Sequence, residues 1–329
     1  MRSCPRLGKC VVGRDAFGWV GVDTVSAVAK GVHSFFVSAP HITGSREWPA
    51  KLGDAMEQIQ RVERVWAANA AELVTNLGRL DGRGPSEVFE LAGGVVAMGG
   101  AGSYVNAGFG LGIGSSSFTV NDAVVLEAAA RRMGVGAAVQ VSVASSPSVR
   151  AVLYHRGYQT TDIRNALWLE PNRTPLASPD RSFQIVLVDE STVQTWTDTT
   201  ALGWGHLTVA ARRRSDDFSR AAFMGEHEQL LLACDAQDDR PVGCASITIR
   251  DGVATLGAMC TLPAERNRGV QTALVRHRIA MAREENCDLV ATLPAPRGGS
   301  ERNLLRLGFS LAYDQHRLSL PAVSGRQSR

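Results

Sequence analysis

The stretch Pro263-Ala264-Glu265-Arg266-Asn267-Arg268-Gly269-Val270-Gln271-Thr272-Ala273-Leu274 decides how this chain is read. Residues 252–261 before it are apolar and strand-like, and after it Val270, Leu274, His277 and Met281 recur at helical spacing. An arginine and glycine loop therefore joins a strand end to a helix start. The first N–H groups of a helix lack internal partners and carry partial positive charge, so a polyphosphate seated there gains hydrogen bonds and field together. Gly269 lets the backbone approach the ligand closely. Arg266 and Arg268 add charge that a guanidinium shares with phosphate oxygens in a directed way. An ordinary basic loop capping a surface helix is the alternative.

Outward from the loop, other phosphate motifs drop away. No Gly-x-x-x-x-Gly-Lys-Ser/Thr string occurs, and no Gly-x-Gly-x-x-Gly follows a strand-like segment. Downstream come a short apolar strand at 288–293, a proline and glycine break, helical character at 300–307, the pair Gly308-Phe309, and a last strand at 310–320. Upstream, residues 229–235, 241–249 and 253–261 form an antiparallel meander, with Asp251-Gly252 as a hairpin signal.

This arrangement resembles the acyl-CoA pyrophosphate loop of the GNAT superfamily of N-acyltransferases, whose pattern is Arg/Gln-x-x-Gly-x-Gly/Ala after a strand. Arg266, Gly269 and Pro263 match; Gln271 stands where a small residue is usual. The resemblance runs from about residue 181 to 320. It implies an α/β (α+β) fold with a mixed, mostly antiparallel central sheet flanked by helices. It also implies acetyl-CoA as co-substrate, held by the backbone of Asn267, Arg268, Gly269, Val270, Gln271 and Thr272 with charge from Arg266 and Arg268. Backbone groups of Met259, Cys260 and Thr261 would pair with the pantetheine and polarise the thioester carbonyl, so that an amine attacks directly without a covalent enzyme intermediate.

The acid is harder to place. Where many members carry a tyrosine, four residues before Gly308-Phe309, this chain has Leu304. Tyr313 is the nearest phenol, either proton donor or core aromatic. Ser300 and Asn303 either face the thiol end of CoA or decorate their helix. Cys260 is read as packing and His277 as packed on its helix, while Glu226, His227 and Glu228 are read as a solvated turn.

From about residue 48 to 171 the chain repeats the later order: a helix at 52–77, strands at 87–91 and 94–98, a glycine-broken strand region at 101–114, a helix at 122–133, a strand at 138–143, a helix at 148–156, Gly157-Tyr158, and a strand at 159–169. Superposing Gly157-Tyr158 on Gly308-Phe309 aligns helix with helix and strand with strand, so two GNAT-like domains are expected. The first copy is degenerate: residues 114–121 replace the arginine loop with Gly-Ser-Ser-Ser-Phe-Thr-Val-Asn, either an anion cradle or, as preferred here, a capped helix start. The expected domains are a poorly ordered extension at 1–46, the degenerate domain at 47–171, a linker at 172–180, the acetyl-CoA domain at 181–321 and a tail at 322–329.

At 329 residues, two domains each bury a core of their own. A net charge of +3 is too small to demand nucleic acid or a membrane. Arg212, Arg213 and Arg214 are read as a solvated face beside Asp216 and Asp217. Six cysteines lack metal-ligand or disulfide spacing, so no metal is expected and cytoplasmic reduced thiols are. The expected partner is a small-molecule amine; a catalytically weak CoA-binding or structural protein is the rival reading.

Overall fold

The computed structural model describes residues 52–114, 116–175 and 181–320. The expected extension at 1–46 with Cys4 and Cys10, the tail at 322–329, the linker residues 176–180 and Ser115 lie outside the described residues. Two compact units divide the chain: one built from Ile163–Gln315, the other from the described residues up to Asp162 together with those from His316 onward.

The first unit holds β6 (Phe183–Leu187), α4 (Val193–Gly203), α5 (Val209–Phe223), β7 (Glu228–Asp235), β8 (Pro241–Arg250), β9 (Val253–Thr261), α6 (Val270–Glu284), β10 (Leu289–Thr292) and α7 (Gly299–Arg306). Strands β6 to β9 pair antiparallel in chain order, and β10 joins β9 in parallel. The β8–β9 hairpin turns at Asp251 and Gly252, both with positive φ as a two-residue hairpin requires. Along β8 the side chains alternate as the pleat demands. Ala245 and Ile247 enter the core with Leu274, Val275 and Ile279 of α6, while Cys244 meets Thr200 of α4 on the other face.

The second unit holds α1 (Leu52–Gly78), β1 (Glu87–Leu91), β2 (Gly94–Met98), β3 (Asn106–Phe109), α2 (Val120–Arg132), β4 (Ala138–Val141) and α3 (Pro147–His155). Its core gathers Val96, Met98, Leu111, Phe118, Leu126, Val139, Leu153 and Tyr158. The two glycine-aromatic pairs end α3 and α7 in the same way. Gly157 and Gly308 take positive φ, Tyr158 N–H donates to Leu153 O at 3.0 Å, and Phe309 N–H donates to Leu304 O at 3.1 Å. These are Schellman caps, in which the residue after the glycine packs on the one three positions inside the helix end.

Each unit takes in the end of a strand from the other half of the sequence, a feature that reading two self-contained repeats does not anticipate. Strand β5 (Gln159–Leu169) is exposed and polar at its start but buried through Ala166, Leu167, Trp168 and Leu169, and these later residues pair antiparallel with β10 in the first unit. Strand β11 (Ser310–Ser319) ends in the second unit, where His316, Arg317, Leu318 and Ser319 pair antiparallel with β4.

Candidate functional site

The site is built at the N-terminus of α6. Glu265 N–H bonds to Leu262 O, and then Asn267 (φ 64) and Gly269 (φ 93) turn the chain through left-handed conformations into the helix. Gly269 is the N-cap and offers no side-chain cap. The first intrahelical bond runs from Ala273 N–H to Gly269 O. Among the described residues the N–H groups from Asn267 to Thr272 have no intramolecular acceptor. Exposed donors converging through alternating left-handed turns make an anion cradle.

The arginines divide the work. Arg266 is exposed and makes no ion pair among the described residues. Arg268, expected to lend charge to phosphate, already donates to Asp235 at 2.7 Å and to Glu265, and lies 5.8 Å over the ring of Phe183. Arg240 donates to the other Glu265 oxygen at 2.7 Å. Glu265 and Asp235 are each 6 % exposed, so the side chain of Arg268 braces the loop on two nearly buried carboxylates. Bonds from Arg240 and then Arg268 hold the Glu265 carboxyl below the usual carboxylate range, and Arg268 does the same for Asp235.

Gln271 and Thr272 tie the cradle to α7. Gln271 Nε2 donates to Ser300 Oγ at 2.8 Å, and Thr272 Oγ1 donates to Asn303 Oδ1 at 3.3 Å. The departure from a small residue at 271 thus has a structural use. Ser300 accepts in this bond, leaving its own O–H proton to give. Asn303 is buried at 9 % exposure, and Tyr313 at 6 % sits on β11 outside these links. Leu304 is 1 % exposed and packs with Phe309 in the core, as its Schellman position requires.

Beside the cradle, β9 and β10 part company. Their parallel ladder ends at Thr255 opposite Ala291, after which, among the described residues, Thr292 Oγ1 reaches across to Leu256 O at 3.1 Å. From Gly257 to Thr261 the β9 edge facing β10 is open among the described residues. A bulge lies in the same segment: Cys244 opposes Cys260 and Ser246 opposes Gly257, so β9 carries an extra residue, and Ala258 takes φ 40. Met259 is half-buried, as is Thr261. Cys260 is enclosed, its Sγ 3.3 Å from Cys244 Sγ and 3.6 Å from Thr199 O. Its bond with Cys244 and then burial push its thiol well above the ordinary range, which suits packing and disfavours a thiolate nucleophile.

Sequence reasoning placed no element on residues 183–223, where β6, α4 and α5 stand, and missed two further parts. Helix α5 buries Ala211, Ser215, Ser219 and Ala222, a small-residue face with no large apolar signal; Thr208, its N-cap, is the one local signal that could have found it. The α4–α5 turn carries His206, bonded to Ser215 Oγ at 3.2 Å, with burial first and Arg214 second pulling its pKa down. Arg278 on α6 is completely buried, against the expectation that a helical arginine faces water. Arg212 meets the expectation of a solvated face, pairing with Asp198 and with Asp216 at 3.3 Å.

Among the described residues no helix is long and apolar enough to cross a membrane, and no group of three or more His, Cys, Asp or Glu could hold a metal ion. The model of the acetyltransferase (GNAT) family matches residues 191–309. No curated protein matches the chain. Among solved structures, a GCN5-related N-acetyltransferase from Kribbella flavida superposes with a TM-score of 0.56 at 17 % identity, covering 78 % of this chain and 95 % of its own. A tandem GNAT protein from the clavulanic acid biosynthesis pathway superposes with a TM-score of 0.53 at 14 % identity, covering 83 % of this chain and 96 % of its own. Residues 191–309 are thus a GNAT-family acetyltransferase domain, in a chain with the fold of a tandem GNAT protein.

Proposed function

We propose that this chain is an N-acetyltransferase that moves an acetyl group from acetyl-CoA to the amine of a small molecule by direct transfer, using the cradle of the first unit alone. The observation that carries this reading is the uncapped N-terminus of α6 with its unpaired N–H groups, lying beside an open β9 edge. The cradle fits a pyrophosphate: backbone donors from Asn267 to Thr272 hold it and Arg266 adds free charge. Acetyl-CoA supplies the activated acyl group. The open edge of β9 offers N–H donors to an amide-bearing pantetheine arm and to a carbonyl oxygen that gains charge. Ser300, held by Gln271 with its proton free, is the better placed donor to a leaving thiolate, with Tyr313 the other candidate.

Calorimetric titration with acetyl-CoA, followed by CoA release over a panel of amines, tests the reading. Binding at one site per chain and turnover with at least one amine are expected; a chain that binds no acetyl-CoA overturns it. With Ser300 as donor, Tyr313→Phe keeps the wild-type kcat and pH profile, whereas a lower kcat transfers the role to Tyr313. Burial of Leu304 favours a second reading, a CoA-binding protein of weak turnover, since leucine has no proton to give. A general acid is commonly worth about 10²- to 10⁴-fold in rate, and a thiolate leaves readily near neutral pH, so its loss here falls toward the low end.

A further inference from the structure

Arg278 stands in the third turn of α6 with no exposed surface, and no carboxylate pairs with it among the described residues. Burial alone lowers its pKa to about 9, so it keeps its charge through the neutral range. An unpaired buried cation is costly. Its hydrogen bonds converge on one place. Nη1 donates to Ser246 O at 2.8 Å and to Gly257 O at 3.3 Å, Nη2 lies 2.9 Å from Met259 Sδ, and Nε returns to Leu274 O at 3.2 Å. Ser246 and Gly257 are the last paired residues before the bulge, so the guanidinium stands in for the ladder bond that the extra residue of β9 interrupts.

Gly257 O belongs to the same peptide group as Ala258 N–H. That peptide is trans, so the N–H points away from the carbonyl, hence away from Arg278 and toward the open edge of β9. A cation bonded to the oxygen draws electron density from the nitrogen and strengthens the N–H as a donor. We propose that Arg278 is a positioning residue that, through the Gly257–Ala258 peptide, aims and strengthens the Ala258 N–H as the donor to the thioester carbonyl of acetyl-CoA. This rests on the N-acetyltransferase reading above. It also gives the buried charge a use: it lies one peptide away from the oxygen on which negative charge develops.

The test is isotope-edited infrared spectroscopy of carbonyl-labelled acetyl-CoA bound to the full chain, with affinity measured by calorimetry. In the wild type the bound carbonyl stretch falls below that of free acetyl-CoA. In Arg278→Met that shift is lost and kcat for CoA release drops about tenfold, less than deletion of an oxyanion donor outright, while acetyl-CoA affinity holds. Arg278→Lys retains a point charge without the fork, so its shift is intermediate, and it carries the test if Arg278→Met does not fold. A wild-type shift and kcat in Arg278→Met, or a full shift in Arg278→Lys, overturns the inference and leaves the function standing. Binding by the wild type without any carbonyl shift does the same, whereas absence of acetyl-CoA binding overturns the function and this inference together.

Discussion

The two units answer the same topological question in opposite ways. In the first, α6 starts at Gly269 with no side-chain cap and β9 leaves β10 after Thr255. In the second, α2 starts with a complete capping box: Thr119 Oγ1 accepts from Asp122 N–H at 3.3 Å, and Asp122 Oδ2 accepts from Thr119 N–H at 2.7 Å. The helix start there already holds its own carboxylate. The gap between β3 and β4 is stitched as well, by the bridge of Ile113 to Ser145, by Ser146 N–H to Gly112 O at 2.7 Å, and by Phe118 N–H to Ser148 Oγ at 3.1 Å. A side chain at Gly112 would meet Val149, so this turn is closely packed. One fold thus leaves a helix start open or closes it according to whether a handful of N–H groups find partners within the chain.

The strongest way to break this comparison is to install the α2 device on α6. Gly269→Asn with Thr272→Asp places polar side chains at the matching N-cap and third positions, asparagine being among the residues that best tolerate the left-handed backbone there. The new carboxylate takes up donors that the pyrophosphate needs and repels it, so acetyl-CoA affinity should fall about 10²-fold, roughly 2.7 kcal/mol. Calorimetry decides; an unchanged Kd means that the open helix start is not the binding site. Arg266→Ala removes free charge alone and should weaken binding about tenfold, a charge-assisted contact being worth ~1.5 kcal/mol or more, with thermal stability unmoved. The same affinity in both proteins would assign Arg266 to solvent.

On the closed side, Thr119→Ala should cost about 1 kcal/mol of stability in denaturant titration and leave acetyl-CoA binding untouched. A change in that binding would tie the second unit to the cradle. The smallest effect concerns acid. Glu265 and Asp235 have carboxyls held below their ordinary range by arginines. Their stabilisation is therefore complete above the usual carboxylate pKa, about 4, and is lost as pH falls through the lowered values. Thermal melts of Arg268→Ala against pH should show a shallower acid limb than the wild type; parallel limbs would mean that the network does not brace the loop.

Much of this was legible beforehand, for local reasons. The Asp251-Gly252 turn, a capped start of α2 within residues 114–121 and the glycine-aromatic ends of α3 and α7 each depend on residues close to one another in sequence. The loop before α6 was readable because it too is local: a strand end, Arg266, Gly269 and a helical repeat. The bracing of Arg268 was not readable, because its partners Asp235 and Phe183 lie far away in sequence and a loop arginine looks the same whether or not it meets a carboxylate. Leu304 was read as unable to donate a proton, and its burial adds why leucine stands there: the Schellman cap needs an apolar partner for Phe309. Leu304→Tyr therefore overfills that core, at about 1 to 3 kcal/mol, instead of restoring a phenol.

By itself the amino-acid sequence determined the meander from residue 229, many of the helices and strands on either side of it, and that residues 263–274 join a strand end to a helix start through an arginine and glycine loop, since each of these follows from backbone preference and apolar periodicity over a few residues. Only the tertiary structure decided which strands became neighbours. Backbone hydrogen bonds between strands carry no sequence code, and a period of two reports the buried face but not the partner. Hence the end of β5 could pair with β10 and the end of β11 with β4 without any sign in either stretch. The same holds for Arg278: its charge is plain in the sequence, but its burial under the β9 bulge exists only once α6, β8 and β9 have packed around it.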